Sequence, residues 1–179
     1  IEFTTEILSG IPSIIFGLFG MVIFGTVLKL GYSVLTGSFT LTLMVLPLIT
    51  RNTQEALRTV PDSYRSGALG IGATKWYMIR TILLPSAAPG ILTGIILSVG
   101  RIVGESAALL FTAGSGFLLP RGLFSKLFES SGTLTIQLYL CMQKAKYDQA
   151  FGIAVVLLVI VLGINLLARF VTKKFGTKK

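Results

Sequence analysis

Charged positions divide the chain into long apolar runs. Ile7 to Leu28 carries no charge, and neither does Leu30 to Thr50. Thr81 to Gly100 is a third uncharged run, and apolar character resumes after Glu105 as far as Ala113. Gln149 to Ala168 is the last. Each run is near the ~20 residues that a helix needs to cross the hydrocarbon core of a bilayer. Inside lipid, every backbone N–H and C=O must be satisfied within the segment, so the runs predict helices. Pro12, Pro47, Pro85 and Pro89 lie inside the runs or near their ends, where membrane helices tolerate them. The expectation is an all-α, polytopic helical membrane protein with four spans. Residues 1–179 then form a single transmembrane domain. Segment 51–83 joins spans two and three, and loop 114–148 joins spans three and four.

Composition agrees with the pattern. Hydrophobic residues make up 53% of the chain and charged residues 13%, against about a quarter charged in soluble domains. His is absent, which excludes histidine metal sites and histidine acid–base catalysis. Cys141 is the one cysteine, so an intrachain disulfide is excluded. With no metal-ligand cluster and no nucleophile–base pair in the sequence, the expectation is not an enzyme, with no cofactor of its own. The net charge of +9 is better explained by basic loops facing anionic lipid than by nucleic acid.

Those basic residues also orient the chain. Arg51, Arg58, Arg65, Lys75 and Arg80 fall between spans two and three, and Arg169, Lys173, Lys174, Lys178 and Lys179 fall in the tail. Lys29, Arg121, Lys126, Lys144 and Lys146 fall on the opposite side, and Arg101 lies inside a span. The positive-inside rule puts segment 51–83 and the C-terminus in the cytoplasm. The start, "IEFTTEILSG", lacks Met and a basic n-region, so it does not read as a signal peptide. It reads as a fragment whose natural start lies upstream.

Two stretches carry candidate chemistry. The first is Ser66 to Pro85, "SGALGIGATKWYMIRTILLP". Gly67 and Gly72 begin a phosphate-loop pattern, but Ala73 stands where the phosphate-binding Lys belongs and Lys75 comes late. Any ATP must be bound by another chain. The spacing of Ala68, Ile71, Gly72, Lys75, Trp76 and Ile79 suits two short helices joined near Gly70–Gly72. Asp62 and Ser63, after Pro61, are candidate caps for the first. The segment fits two arrangements: a surface that another protein approaches closely, or an interfacial hairpin packed under the bundle. The second stretch is "GRIVGESAALLFTAG", Gly100 to Gly114. Arg101 and Glu105 stand four apart and would share a helix face. Charges at that depth are costly, about 2.5–3.5 kcal/mol on insertion scales, and default to function. The pair fits either an anion pathway or a structural ion pair that locks two helices.

The first stretch resembles the EAA motif of the smaller-type ABC importer permeases, Glu-Ala-Ala-x3-Gly-x9-Ile-x-Leu-Pro. Ala68, Gly72, Ile82, Leu84 and Pro85 stand in place, and Ala73 and Trp76 also fit. Ser66 and Gly67 replace the motif's Glu and first Ala. The resemblance implies that Ser66, Gly67, Ala68, Gly72, Ala73, Lys75 and Trp76 belong to a coupling helix seated in a separate ATPase. The second stretch, with "GIPSIIFGLFG" at Gly10 to Gly20 and "LTIQLYLCMQ" at Leu134 to Gln143, is similar to the phosphate-specific importers, and to their PstA-type permeases in particular. That implies an anion pathway at Arg101 and Glu105. It implies a homologous second permease subunit, two ATPase subunits, an extracytoplasmic phosphate-binding protein and a bacterial or archaeal cytoplasmic membrane. It also implies six spans in the whole protein, two of them upstream. Within loop 114–148, Arg121 and Lys126 are candidates for docking the binding protein. Leu134 to Met142 reads as a helix resting on the membrane surface, and Ser130-Ser131-Gly132 as a turn. The alternatives are an ABC permease for molybdate, sulfate or an organic solute, and a passive channel or scaffold.

Overall fold

A computed structural model describes residues 2–116 and 125–176. Helix α1 (Glu2–Gly10) ends before Pro12, and α2 (Ser13–Gly20) runs on through a π-helical turn, Met21–Val27. The expected first span, Ile7 to Leu28, is therefore divided. Pro12 is extended, with φ −57° and ψ 138°. It lacks an N–H and disfavours helix at the residue before it, which breaks the run. What remains apolar and helical is Ser13–Val27, about 22 Å long and short of the ~30 Å hydrocarbon core.

Lys29 and Gly31 take positive φ, 57° and 58°, and turn the chain back. The Ser33 hydroxyl accepts from Thr36 N at 3.2 Å and opens α3 (Val34–Arg58). α3 runs two turns past Thr50, so Arg51 and Arg58 belong to a helix and not to a loop. Next come α4 (Asp62–Gly70) and α5 (Lys75–Met78). α5 continues through a π turn at Ile79–Leu83 into α6 (Leu84–Val103). The expected second short helix is thus the foot of one 29-residue helix, Lys75–Val103. α7 (Ala107–Thr112), a 3₁₀ turn (Ser125–Phe128), α8 (Leu134–Gln143) and α9 (Tyr147–Gly176) follow. Three helices, Val34–Arg58, Lys75–Val103 and Tyr147–Phe170, are long and apolar enough to cross a membrane. The molecule is a multi-pass membrane protein, all-α in its described residues.

Small residues set the helix contacts, as expected where apolar side chains gain nothing by leaving lipid. Gly90 lies against Ala56, and Gly94 against Asn52, which fixes α3 and α6 as antiparallel neighbours. Gly17 of α2 lies on Ala108 of α7, Gly20 on Thr40, and Gly37 on Ala113 and Leu109. The buried hydroxyls are satisfied close by. Thr40, Ser98 and Thr112 each donate to the carbonyl four residues back at 2.8 Å, and Thr36 donates to Gly31 O at 2.9 Å.

One expectation for loop 114–148 changes and one gains detail. α8 packs one side on protein and leaves Leu134, Tyr139 and Met142 exposed. Ile136 is wholly buried and Cys141 nearly so, and Ile136 packs with Leu109 and Ala113 of α7. Ser130–Gly132 is not a turn but an extended link. Ser131 N donates to Ala113 O at 3.0 Å and Gly132 N to Gly116 O at 2.9 Å, stitching it to the end of α7. Arg121 lies outside the described residues; Lys126 sits on the 3₁₀ turn.

Candidate functional site

The third span is interrupted. α6 ends at Val103 with Gly104 as its C-cap, and α7 does not begin until Ala107. Glu105 N still reaches back to Ile102 O at 3.2 Å, and Leu110 N to Ser106 O at 2.9 Å. The Glu105 carbonyl sits between these two ladders. Its partner is the Thr135 hydroxyl of α8, which donates to it at 2.8 Å. The Glu105 carboxylate accepts from Ala108 N at 3.1 Å and so caps α7. An acidic group at a helix start is favoured by the exposed N–H groups there.

That geometry corrects the sequence reading of Arg101 and Glu105 as one helix face. The helix stops between them, and the carboxylate is engaged with its own downstream helix. Arg101 lies in the last turn of α6, exposed, and makes no ion pair or hydrogen bond among the described residues. Its depth follows from the α3–α6 register. Continuing the Gly90–Ala56 and Gly94–Asn52 contacts sets Arg101 level with Val45. That is about 9 Å from the level of Arg51 and about 16 Å from that of Val34. The Arg101 backbone therefore stands well inside the apolar length of the bundle. The free carbonyls at the α6 end favour a cation there. Its planar fork of N–H donors matches the oxygens of an oxyanion.

At the other end of α6, α4 makes a compact mount. Ala68 is buried with Ala56 and Val60 of the α3 end and Met78, Leu83 and Ala87 of the α5–α6 helix. Arg65 adds polar ties, donating through Nη2 to Leu57 O at 3.2 Å and pairing with Asp62 at 3.5 Å. The expected capping by Asp62 and Ser63 is absent. Pro61 occupies the N-cap and no side chain accepts there, while Asp62 sits in the first turn, where its charge suits the dipole.

α4 ends in a Schellman motif. Gly72 N donates to Leu69 O and Ala73 N to Ala68 O, both at 3.0 Å, with Gly72 at φ +79°. Ala73 packs back on Ala68, the apolar contact that accompanies this motif. The Thr74 hydroxyl then accepts from Tyr77 N at 3.3 Å and restarts the helix. The tip so formed is apolar and unpacked. Ile71 is 85% exposed and Trp76 71%, with Lys75 beside them. Ser66 and Gly67 are also exposed. The Ser66 hydroxyl donates within its own helix, to Asp62 O at 3.1 Å.

The fold thus joins Ser66, Gly67, Ala68, Gly72, Ala73, Lys75 and Trp76 in one knob, though Ala68 is its anchor and not its surface. Arg101 lies at the far end of the helix that starts at Lys75, and Glu105 just beyond it. Sequence reasoning missed Ile71 and Thr135. An isolated apolar residue between two glycines was a signal for the former; nothing local marks the latter, which acts across the fold.

The chain matches a family model for the binding-protein-dependent transport system inner membrane component over residues 1–178. It is 37% identical over 180 residues to the "Probable ABC transporter permease protein YqgI" of Bacillus subtilis, covering 92% of this chain and 60% of that protein. It is 33% identical over 168 residues to "Phosphate transport system permease protein PstA" of Mycobacterium leprae, covering 92% and 54%. With the PstA protein of Xylella fastidiosa it shares 44% identity over 115 residues, 63% of this chain and 39% of that one. The chain therefore spans between about two-fifths and three-fifths of the length of these relatives. The inward-facing MetNI methionine ABC transporter has the same fold, with TM-score 0.75 at 20% identity, over 96% of this chain and 72% of that one. The chain belongs to the family of binding-protein-dependent transport system inner membrane components.

Proposed function

We propose that this chain is a permease subunit of an ATP-driven importer of inorganic phosphate. It would form half of the translocation pathway and couple it to separate ATPase subunits. The observation that carries the reading is Arg101, an exposed guanidinium in the last turn of an interrupted membrane helix. Interrupted spans place helix ends, with their partial charges, beside substrate. An intramembrane cation with no ion pair or hydrogen bond among the described residues suits an oxyanion. The PstA relatives, named for phosphate transport, support the substrate.

The partners follow from the same reading. A homologous second permease completes the pathway, and a phosphate-binding protein delivers substrate at the outer face. Two ATPase subunits receive the Ile71–Trp76 knob, since this chain carries no nucleotide-binding loop. Closure of the ATPases around ATP would move the knob. α5 and α6 would carry that motion to Arg101 as one continuous helix. Hydrolysis on the partners would reset the cycle. The knob and the C-terminus lie in the cytoplasm of a bacterial or archaeal cell, on the side to which the positive-inside rule assigns Arg51, Arg58, Arg65 and Arg169. Lipid covers the apolar face of α9 at Phe151, Val155, Leu158, Leu162 and Leu166, all exposed.

The test is uptake by the complete assembly in vesicles, with labelled phosphate, sulfate and molybdate offered separately, with and without ATP. The reading expects ATP-dependent phosphate uptake that excess sulfate or molybdate does not displace. Preferential uptake of another anion would move the chain to a different importer. Uptake indifferent to ATP would make it a passive pathway.

A further inference from the structure

We infer that Thr135 of α8 is a positioning residue for the anion pathway, acting through the backbone of Glu105; the inference rests on the pathway reading of the interrupted span. Two hydroxyls form a directed chain. The Glu105 carbonyl can only accept, so the one hydroxyl proton of Thr135 points at it across 2.8 Å. Thr133 and Thr135 hydroxyls are 2.8 Å apart. With the Thr135 proton committed, Thr133 must be the donor between them. Thr133 in turn accepts from Ile136 N at 3.3 Å, as the N-cap of α8. The start of α8 is thereby bolted to the gap between α6 and α7.

The gap needs such a bolt. The bond is half-buried, between Glu105 and a helix that packs on α7, and a carbonyl that loses its donor there must be satisfied anew. Without Thr135 the Glu105 carbonyl would turn to water or to another donor, and the peptide would no longer be held against α8. Glu105 is followed at once by its own contact with Ala108 N, and Arg101 is one helical turn before it. A shift of the peptide moves both. Thr135 hydrogen-bonds to Glu105 and Thr133. Its effect is to hold the α6 end, and so the guanidinium, at a fixed height and direction. Because α8 also packs Ile136 into the core, the bolt is anchored at its own end.

The experiment uses the complete assembly, with Thr135→Val and Thr135→Ser compared. A second arm adds Gly104→Cys and Cys141→Ser, and follows modification of the new thiol by a soluble maleimide in the absence of phosphate. A Cβ at Gly104 meets nothing closer than Gly100 O at 3.7 Å, so the reporter fits. Thr135→Val is expected to raise the KM for phosphate uptake about tenfold and to speed labelling at 104 by a similar factor, as the loss of a half-buried hydrogen bond that holds the peptide implies. Thr135→Ser, which keeps the hydroxyl, is expected to restore both to near wild type. Should Thr135→Val fail to assemble, Thr135→Ala is read in the same way. Unchanged KM and labelling in the Val or Ala variant would overturn the inference. So would a Ser variant that behaves like Val, or faster labelling with unchanged KM. A wild type that carries no phosphate would sink the substrate assignment instead, while the labelling arm still reads the bolt.

Discussion

Gly17→Ala tests the close approach of α2 to the interrupted span. A Cβ at Gly17 would lie 2.8 Å from Ala108 Cα and 3.0 Å from Ala108 O. Carbon atoms in good contact stand about 3.5–4.0 Å apart. The obstacle is backbone, so no rotamer change relieves it, and α2 and α7 must separate by about 1 Å. Overpacking of this kind costs about 1–3 kcal/mol, while Ala regains about 1 kcal/mol over Gly as a helix former. Gly152 on α9 is the control, because a Cβ there meets nothing within 4 Å. Gly152→Ala carries the propensity gain alone, so the gap between the two variants isolates the overpacking. Cys141 is 3% exposed, and its modification by a thiol-reactive dye on heating reports loss of the fold. At about 2–4 °C per kcal/mol for a chain of this size, Gly17→Ala should expose Cys141 several degrees below Gly152→Ala. Equal midpoints would refute the argument that α2 and α7 touch through backbone at Gly17.

Two further predictions concern the knob. Gly72→Ala should weaken coupling, because φ +79° costs a side-chain residue about 1–2 kcal/mol. Gly67→Ala, in helical conformation with open space around it, should be neutral or slightly stabilising; ATPase stimulation by binding protein separates the two, and a shared defect would count against the Schellman geometry. Ile71→Asp and Trp76→Ala should leave the permease folded, since both side chains are largely exposed. They should weaken capture of the ATPase by about 2 kcal/mol or more each, as buried anchors at interfaces do. Pull-down of the ATPase at wild-type strength by both variants would remove the knob from the interface.

Charge spacing made the long helices readable, because an uncharged run of membrane length has few other uses. The Gly70–Gly72 break was readable for the same kind of reason, since only Gly takes the Gly72 conformation cheaply. Three features were hidden. Pro12 inside an apolar run reads as a tolerated kink, and the structure makes it a helix boundary. Arg101 and Glu105 at helical spacing read as a pair. The capping role of Glu105 depends on Gly104 ending α6, and a single glycine in a membrane helix is no signal by itself. Thr135 acts thirty residues away in sequence, as its bond to Glu105 shows, and only the fold of α8 back onto α7 brings the two together. Local conformation was legible where one residue type dominates it. The site depended on contacts between elements, which no local pattern encodes.

The central claim is that Arg101 contacts the transported anion. ATP-driven uptake of labelled phosphate by the complete assembly, comparing wild type with Arg101→Gln and Arg101→Lys, tests it most directly. The account predicts that Gln lowers uptake by about tenfold to a hundredfold, the worth of a charge-assisted hydrogen bond. Lys should retain part of it, having the charge without the fork. Assembly and basal ATP hydrolysis should survive in both. Phosphate uptake by Arg101→Gln equal to that of wild type would contradict the claim and leave Arg101 a structural residue.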